Sequence, residues 1–225
     1  MIIPPTIKIF AVGVDLGMAA ESTAFAVVER LKPPGWDAGR DCPPEKAALH
    51  VRQLRRFPPG TQYVEIATNL ADLLRSQEFT ATTERTVYGT VREISVQVHL
   101  VLDQTAVGTP VTEMILEKAG RPLARRVVIS GNHTETYSEG FYLIPKQTLI
   151  GRLEVLLETT RLKFAGGLPE TRHLADELVK YRGRTTVNRV LTVDTWREQP
   201  ADDLVFAVAL ACWRLQQPQF QYEFI

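Results

Sequence analysis

Cysteine is scarce in this 225-residue chain: only Cys42 and Cys212 occur, far apart and without metal-ligand spacing. That excludes a disulfide scaffold and a thiolate zinc site, and makes an intracellular home the default expectation. An excess of one charge is also missing, because Lys+Arg 26 balances Asp+Glu 26. A dedicated nucleic-acid binder usually carries surplus positive charge, so any such role would need its basic residues gathered on one face, or a tether to a partner. Long apolar runs are missing too. The longest, Leu204 to Trp213, is about half a membrane span, and Met1 to Pro5 does not read as the start of a signal peptide. A soluble protein with no membrane partner is expected. No internal repeat or low-complexity tract appears, nor does the Gly-x-x-x-x-Gly-Lys-[Ser/Thr] phosphate loop of ATP motors.

What is present suits one large domain with a sizeable core, since 44% of residues are hydrophobic. Lys8 to Val14, Thr23 to Arg30 and Ala47 to Phe57 read as three β-strands, the first two joined by a hairpin-sized connection. Residues 32–46 are a proline- and glycine-bearing loop, and Thr61 is placed to cap a helix to about Ser76. Residues 78–93 read as a loop or short extra hairpin. Ser95 to Leu102 has the composition of a strand buried on both faces. Val107 to Ala119 follows as a helix, with Gly120 its C-cap, then a buried strand over Arg126 to Ser130. Gly131 to Gly140 reads as a polar loop and Phe141 to Ile144 as a short strand. Pro145 suits the first position of a helix to about Thr159. Leu168 to Arg182 reads as helix, Arg189 to Thr195 as strand, and Asp202 opens a last helix to about Gln216. Three leading strands followed by strands alternating with helices imply an α/β fold: a mixed sheet, antiparallel then parallel, with helices on both faces.

Acidic residues stand at the mouths of the core elements. Asp15 ends the first strand, Asp103 ends the most apolar one, and Asp202 and Asp203 open the last helix. Sites in open α/β sheets gather at the carboxyl ends of strands, so Asp15 and Asp103 should face one crevice. Gathered carboxylates repel, and a divalent metal resolves the repulsion. Mg²⁺ and Mn²⁺ favour oxygen donors. Two such ions about 4 Å apart would activate water and stabilise the leaving oxygen of a phosphodiester. Blander readings stand beside this one. Asp202 and Asp203 also suit a helix cap, and Asp15 a hairpin turn; Asp103 is the hardest to explain that way.

Several stretches together resemble the nuclease domain of phage terminase large subunits. They are Val12-Gly13-Val14-Asp15 with Glu21-Ser22-Thr23-Ala24, Leu102-Asp103-Gln104-Thr105-Ala106-Val107-Gly108, Ile144-Pro145-Lys146, and Asp202-Asp203-Leu204-Val205. The likeness runs in order along nearly the whole chain. It implies a single RNase H-like domain over residues 1–225, with no ATPase half. It also implies Asp15, Asp103 and Asp203 as catalytic, metal-binding carboxylates, with Asp202 an auxiliary ligand or helix cap. The implied cofactor is a pair of Mg²⁺ or Mn²⁺ ions, and the implied reaction is cleavage of double-stranded DNA during genome packaging. Implied partners are a terminase ATPase motor, a small terminase subunit or a portal protein, in the cytoplasm of a bacterial host, with phage or prophage origin. Two positions depart from the family pattern: Ala201 stands where His often precedes the Asp pair, and Ala106 where Gly is usual.

Candidate DNA contacts are Lys146, which the resemblance places near the crevice, and the clusters holding Arg125, Arg126, Arg182 and Arg184. Arg52, Arg55 and Arg56 form another basic cluster. Arg182, Arg184 and Arg189 would surround a glycine turn. His133 lies in a polar loop, while His50, His99 and His173 read as surface positions. Phe206 and Trp213, seven apart, share one helix face as core. Rival readings are a Holliday-junction resolvase or other RNase H-like nuclease, and a packaging module without activity. A third is an actin-like ATPase fragment, because Gly13-Val14-Asp15-Leu16-Gly17 resembles the first phosphate loop of that superfamily; the second glycine-rich loop it needs is missing.

Overall fold

A computed structural model describes residues 6–33, 35–36, 42–80, 83–87, 90–120, 123–131, 134–187 and 202–217. The elements are β1 (Thr6–Asp15), β2 (Thr23–Leu31), β3 (Ala48–Phe57), α1 (Tyr63–Leu74), α2 (Gln77–Thr80), β4 (Thr83–Val87), β5 (Thr90–Asp103) and α3 (Gly108–Lys118). Then come β6 (Leu123–Ser130), β7 (Thr136–Ser138), β8 (Phe141–Pro145), α4 (Lys146–Glu158), β9 (Leu162–Phe164), α5 (Thr171–Val187) and α6 (Asp203–Gln216). The nine strands form one sheet in the order β7-β8-β6-β5-β1-β2-β3-β9, with β4 paired to β5. β1, β2 and β3 run antiparallel, while β5, β6 and β8 run parallel to β1. This mixed α/β sheet with helices on both faces is compatible with an RNase H-like fold.

Strand alternation divides the interior into two cores. Phe10, Val12, Val14, Leu100 and Leu102 face α1 and α3. Ala11, Ala24, Ala26 and Val101 face α6, which α4 and α5 cover from outside. Helix α6 is therefore enclosed, and every residue from Asp203 to Leu215 is buried. A helix sandwiched this way has no solvent side, which is why its sequence is apolar all round. Phe206 and Trp213 both belong to that core.

Several local expectations shift. Thr61 does not cap α1; its hydroxyl donates to the Pro58 carbonyl at 2.7 Å and Gln62 is the N-cap, with no side-chain cap bond. The turn residue's own backbone offers the nearer acceptor. Gly120 does follow the end of α3 in the left-handed region, at φ 78°. Pro145 ends β8 and serves as N-cap of α4 rather than its first residue. The segment read as loop or hairpin over 78–93 contains β4 antiparallel to the start of β5. β6 is only half-buried for most of its length, and β7 lies inside the stretch read as a polar loop. β9 has no counterpart among the expected strands; three residues extend β3's edge in parallel. Arg182 and Arg184 lie within α5, which continues through Gly183 instead of turning there. The strand expected at Arg189 to Thr195 and the loop residue His133 lie outside the described residues. Among the described residues, no helix is long and apolar enough to cross a membrane.

Candidate active site

Register and parity bring the first two carboxylates together. β1 and β5 are paired in parallel as far as Val14 and Leu102, so Asp15 and Asp103 stand side by side one residue later. Alternation turns both toward α6, on the side of Ala11 and Val101. The helix supplies the third. Gly13 has no room for a side chain, because a Cβ there would overlap the Ala207 carbonyl oxygen and sit 2.6 Å from the Ala211 backbone nitrogen. The backbones of β1 and α6 thus touch along a stripe of small residues. Asp203 lies one turn before Ala207 on that stripe, and the close approach carries it over Asp15.

Each carboxylate is held differently. Asp103 is 5% exposed, and its Oδ1 accepts hydrogen bonds from the Thr105 backbone nitrogen at 2.8 Å and from the Thr105 hydroxyl. That hydroxyl oxygen in turn accepts from the Ile129 nitrogen at 2.8 Å, tying the end of β5 to β6. Burial nevertheless pushes the Asp103 carboxyl up to about 6, against the lowering effect of these bonds. Asp15 rises well above the ordinary carboxylate range through burial, then through the charges of Asp103, Asp203 and Asp202. The Asp15 and Asp103 carboxyls interact directly, so the two titrate as a pair. Asp203 is raised to about 6, also by burial, with Arg56 opposing and Asp202 and Glu21 adding to the shift.

Two cations meet this acidic group. Lys146 Nζ lies 3.3 Å from Asp202 Oδ2 and 4.6 Å from the centre of the Phe206 ring. Arg56 pairs with Glu177 of α5 and holds its Nε 3.6 Å from Asp203 Oδ2. Glu177 also accepts from the Val205 backbone nitrogen at 3.2 Å, satisfying an otherwise free donor in the first turn of α6. Sequence reasoning grouped Arg56 with Arg52 and Arg55 as a basic cluster and passed over Glu177. The cause is a register irregularity at Val27/Val28, where β3 carries an extra residue. It reverses the alternation, so that Arg56 pairs with Ala24 and faces α6 instead of solvent.

The donor chemistry fits a hard divalent cation with few protein ligands. All donors are carboxylate oxygens, burial and mutual charge oppose joint ionisation of Asp15 and Asp103, and buried Asp203 Oδ2 accepts no hydrogen bond. Among the described residues, no group of three or more His, Cys, Asp or Glu side chains could hold one ion in this arrangement. A divalent cation held here would take two protein carboxylates, a number Mg²⁺ commonly accepts with water and phosphate completing its shell.

The other candidates fall elsewhere. Arg126 is directed to the opposite face, where it pairs with Glu113 of α3 at 2.8 Å. Arg125 is on the α6 face but level with Val101, further down the sheet. Arg52 pairs with Glu29 at 2.5 Å, and Arg55 lies over the Phe57 ring at 4.7 Å. His99 is not a surface residue; it is 5% exposed beneath α6. A cavity of about 420 Å³ between α4, α5 and α6, lined by Ile150, Leu153, Leu178 and Val205 together with Glu154 and Glu158, includes none of the four aspartates. No protein-family model matches the chain, and comparison with curated proteins finds no match.

Proposed function

We propose that this chain is a metal-dependent endonuclease that hydrolyses phosphodiesters of double-stranded DNA with little sequence preference, as the nuclease module of a phage-type genome-packaging machine. The observation that carries the reading is the convergence of Asp15, Asp103 and Asp203 at one sheet edge, with their carboxyls held above the ordinary range. Asp15, Asp103 and Asp203, aided by Asp202, would hold two Mg²⁺ or Mn²⁺ ions. Bound there, such ions would lower the pKa of water and neutralise charge on the leaving oxygen.

The chain's own residues set the stage for that chemistry. Thr105 fixes the Asp103 rotamer from two directions, so one oxygen is committed to the fold and the other is left for the site. Arg56 and Glu177 hold the first turn of α6, and hence Asp203, against the sheet. Lys146, now balancing Asp202, is placed to steady a phosphate when a cation replaces it there. Among the described residues, the guanidinium at the mouth is that of Arg56, and Glu177 and Asp203 engage it, which supports weak sequence preference. The zero net charge supports action while tethered, to an ATP-driven motor, a small terminase subunit or a portal protein.

A second reading, a packaging module without catalysis, is favoured by one observation: Arg56 and Lys146 already neutralise two of the carboxylates. Supercoiled plasmid incubated with Mn²⁺, Mg²⁺ or EDTA, beside Asp103→Ala, separates the two. Metal-dependent nicking that falls at least about a hundredfold in the variant supports the nuclease. No nicking under any metal, with no metal binding by calorimetry, would sink the nuclease and leave the inactive module.

A further inference from the structure

Helices α4 and α5 each pack on α6, and the cavity of about 420 Å³ lies as a trough between them. Its floor is made of Ile150 and Leu153 of α4 and Val205 of α6, all buried, and its walls of Leu157 and Leu178, both half-buried. On α4 the lining positions are 150, 153, 154, 157 and 158, the three-and-four spacing of one helix face. Apolar surface does not stop at the trough. Val179, which also lines it, is 72% exposed, and Val155, next to Glu154, is 51% exposed. Single exposed apolar residues are ordinary, but these two stand on the two helices that border one apolar trough. The charged residues among those lining it are both acidic: Glu154, half-buried, and Glu158, exposed, one helical turn apart.

We propose that this trough docks an amphipathic helix of a partner protein, one that carries Lys or Arg beside its apolar anchors. Length supports a helix. The α4 face from Ile150 to Glu158 rises about 12 Å, and anchors at i, i+3 or i+4, and i+7 of a docked helix span about 10.5 Å. Charge sets the sign of the partner. With carboxylates as the charged groups of the lining, a basic helix is attracted and an acidic one repelled. Extent argues against a small molecule, which would fill the cavity alone and leave Val155 and the outer side of Val179 bare. A helix lying along the trough covers both borders. The inference does not rest on the nuclease reading, because none of the four aspartates lines the trough and its readout is binding.

Fluorescence anisotropy with the full chain tests this. The probe is a labelled peptide of about 18 residues, with leucine repeating at helical spacing on one face and lysine elsewhere. Its control has glutamate in place of every lysine. At about 0.15 M salt, which screens loose charge attraction, the lysine peptide should bind saturably. The glutamate peptide should bind at least about tenfold more weakly. Val179→Ser, at an exposed position that tolerates change, should weaken the lysine peptide at least about fivefold, and so should Glu154→Lys. Val64→Ser and Glu65→Lys, both exposed on α1 across the sheet, should leave the curve unchanged. Absence of saturable binding, equal binding of the two peptides, or an unaltered curve in either Val179→Ser or Glu154→Lys overturns the proposal. A dimer in sedimentation that Val179→Ser dissociates also overturns it, by assigning the trough to a second copy of the chain.

Discussion

The two ends of α6 rest on the same sheet face yet carry opposite chemistry. At its N-terminal end lie Asp15, Asp103, Asp202 and Asp203; at its C-terminal end lie Arg30, Arg125 and Arg214 around His99. Between them is a neutral stretch where Gly13 meets Ala207 and Ala211. Each end has the sign that complements the helix dipole, acidic at the start and basic at the finish. That complement is modest, and at the acidic end burial and the neighbouring carboxylates still hold Asp15 above its ordinary range. The middle explains how both can exist. Close backbone contact between β1 and α6 leaves no space to reorient either end independently.

Breaking the middle should have the largest effect. Gly13→Ala is expected to cost on the order of 3 kcal/mol or more, because the added carbon meets backbone on both sides. Urea unfolding would read this as a lowered midpoint. The control is Gly151→Ala in α4, where nothing lies within 4 Å; it should stabilise by about 0.5 to 1 kcal/mol. Equal midpoints for the two variants would mean that the helix and strand do not meet as described.

Next in size is the Arg56 link. Arg56→Met would leave buried Glu177, 6% exposed, without its cation, at about 3 kcal/mol. Adding Glu177→Gln removes the stranded charge while keeping an acceptor for the Val205 nitrogen, and should recover at least half of the loss. A double-mutant cycle with strictly additive effects would show that the pair does not couple.

The smallest effect sharpens the acidic end. Asp103 and Asp203 are raised to about 6 and Asp15 is raised as well, so between about pH 4 and 6 the native state binds more protons than the unfolded chain. Metal-free stability should therefore fall as pH rises through that window. Asp103→Asn should flatten the fall and, in EDTA near neutral pH, melt above wild type, with a gain on the order of 1–3 kcal/mol. Excess Mg²⁺ should remove the advantage by stabilising wild type alone. An Asp103→Asn protein that is less stable than wild type in EDTA at neutral pH would show that the carboxylates do not repel.

Much of the fold was legible because it rests on local pattern. The β-branched runs of β1 and β2, the apolar run of β5 and the punctuation by glycine and proline report the element order directly. Asp15 and Asp103 were legible for the same reason, each sitting at the end of a strand. Arg56 was not, since a single extra residue in β3 reverses which side chains face inward, and nothing local marks it. His99 misled for a related reason: a histidine in a strand looks alike whether a helix covers it or water does. β9 is three residues long, too short for any period to show.

By itself, the amino-acid sequence determined the kinds of element, their order and the residues at the strand ends, because those depend on neighbours a few positions away. Tertiary structure alone decided that Asp203 meets Asp15, that Arg126 turns away to Glu113, and that Arg214 is buried beside His99. Those outcomes depend on sheet register, on the phase of one bulge and on how closely α6 can approach Gly13. Each is a contact between residues far apart in sequence, set by the fit of surfaces that exist only once the chain has folded.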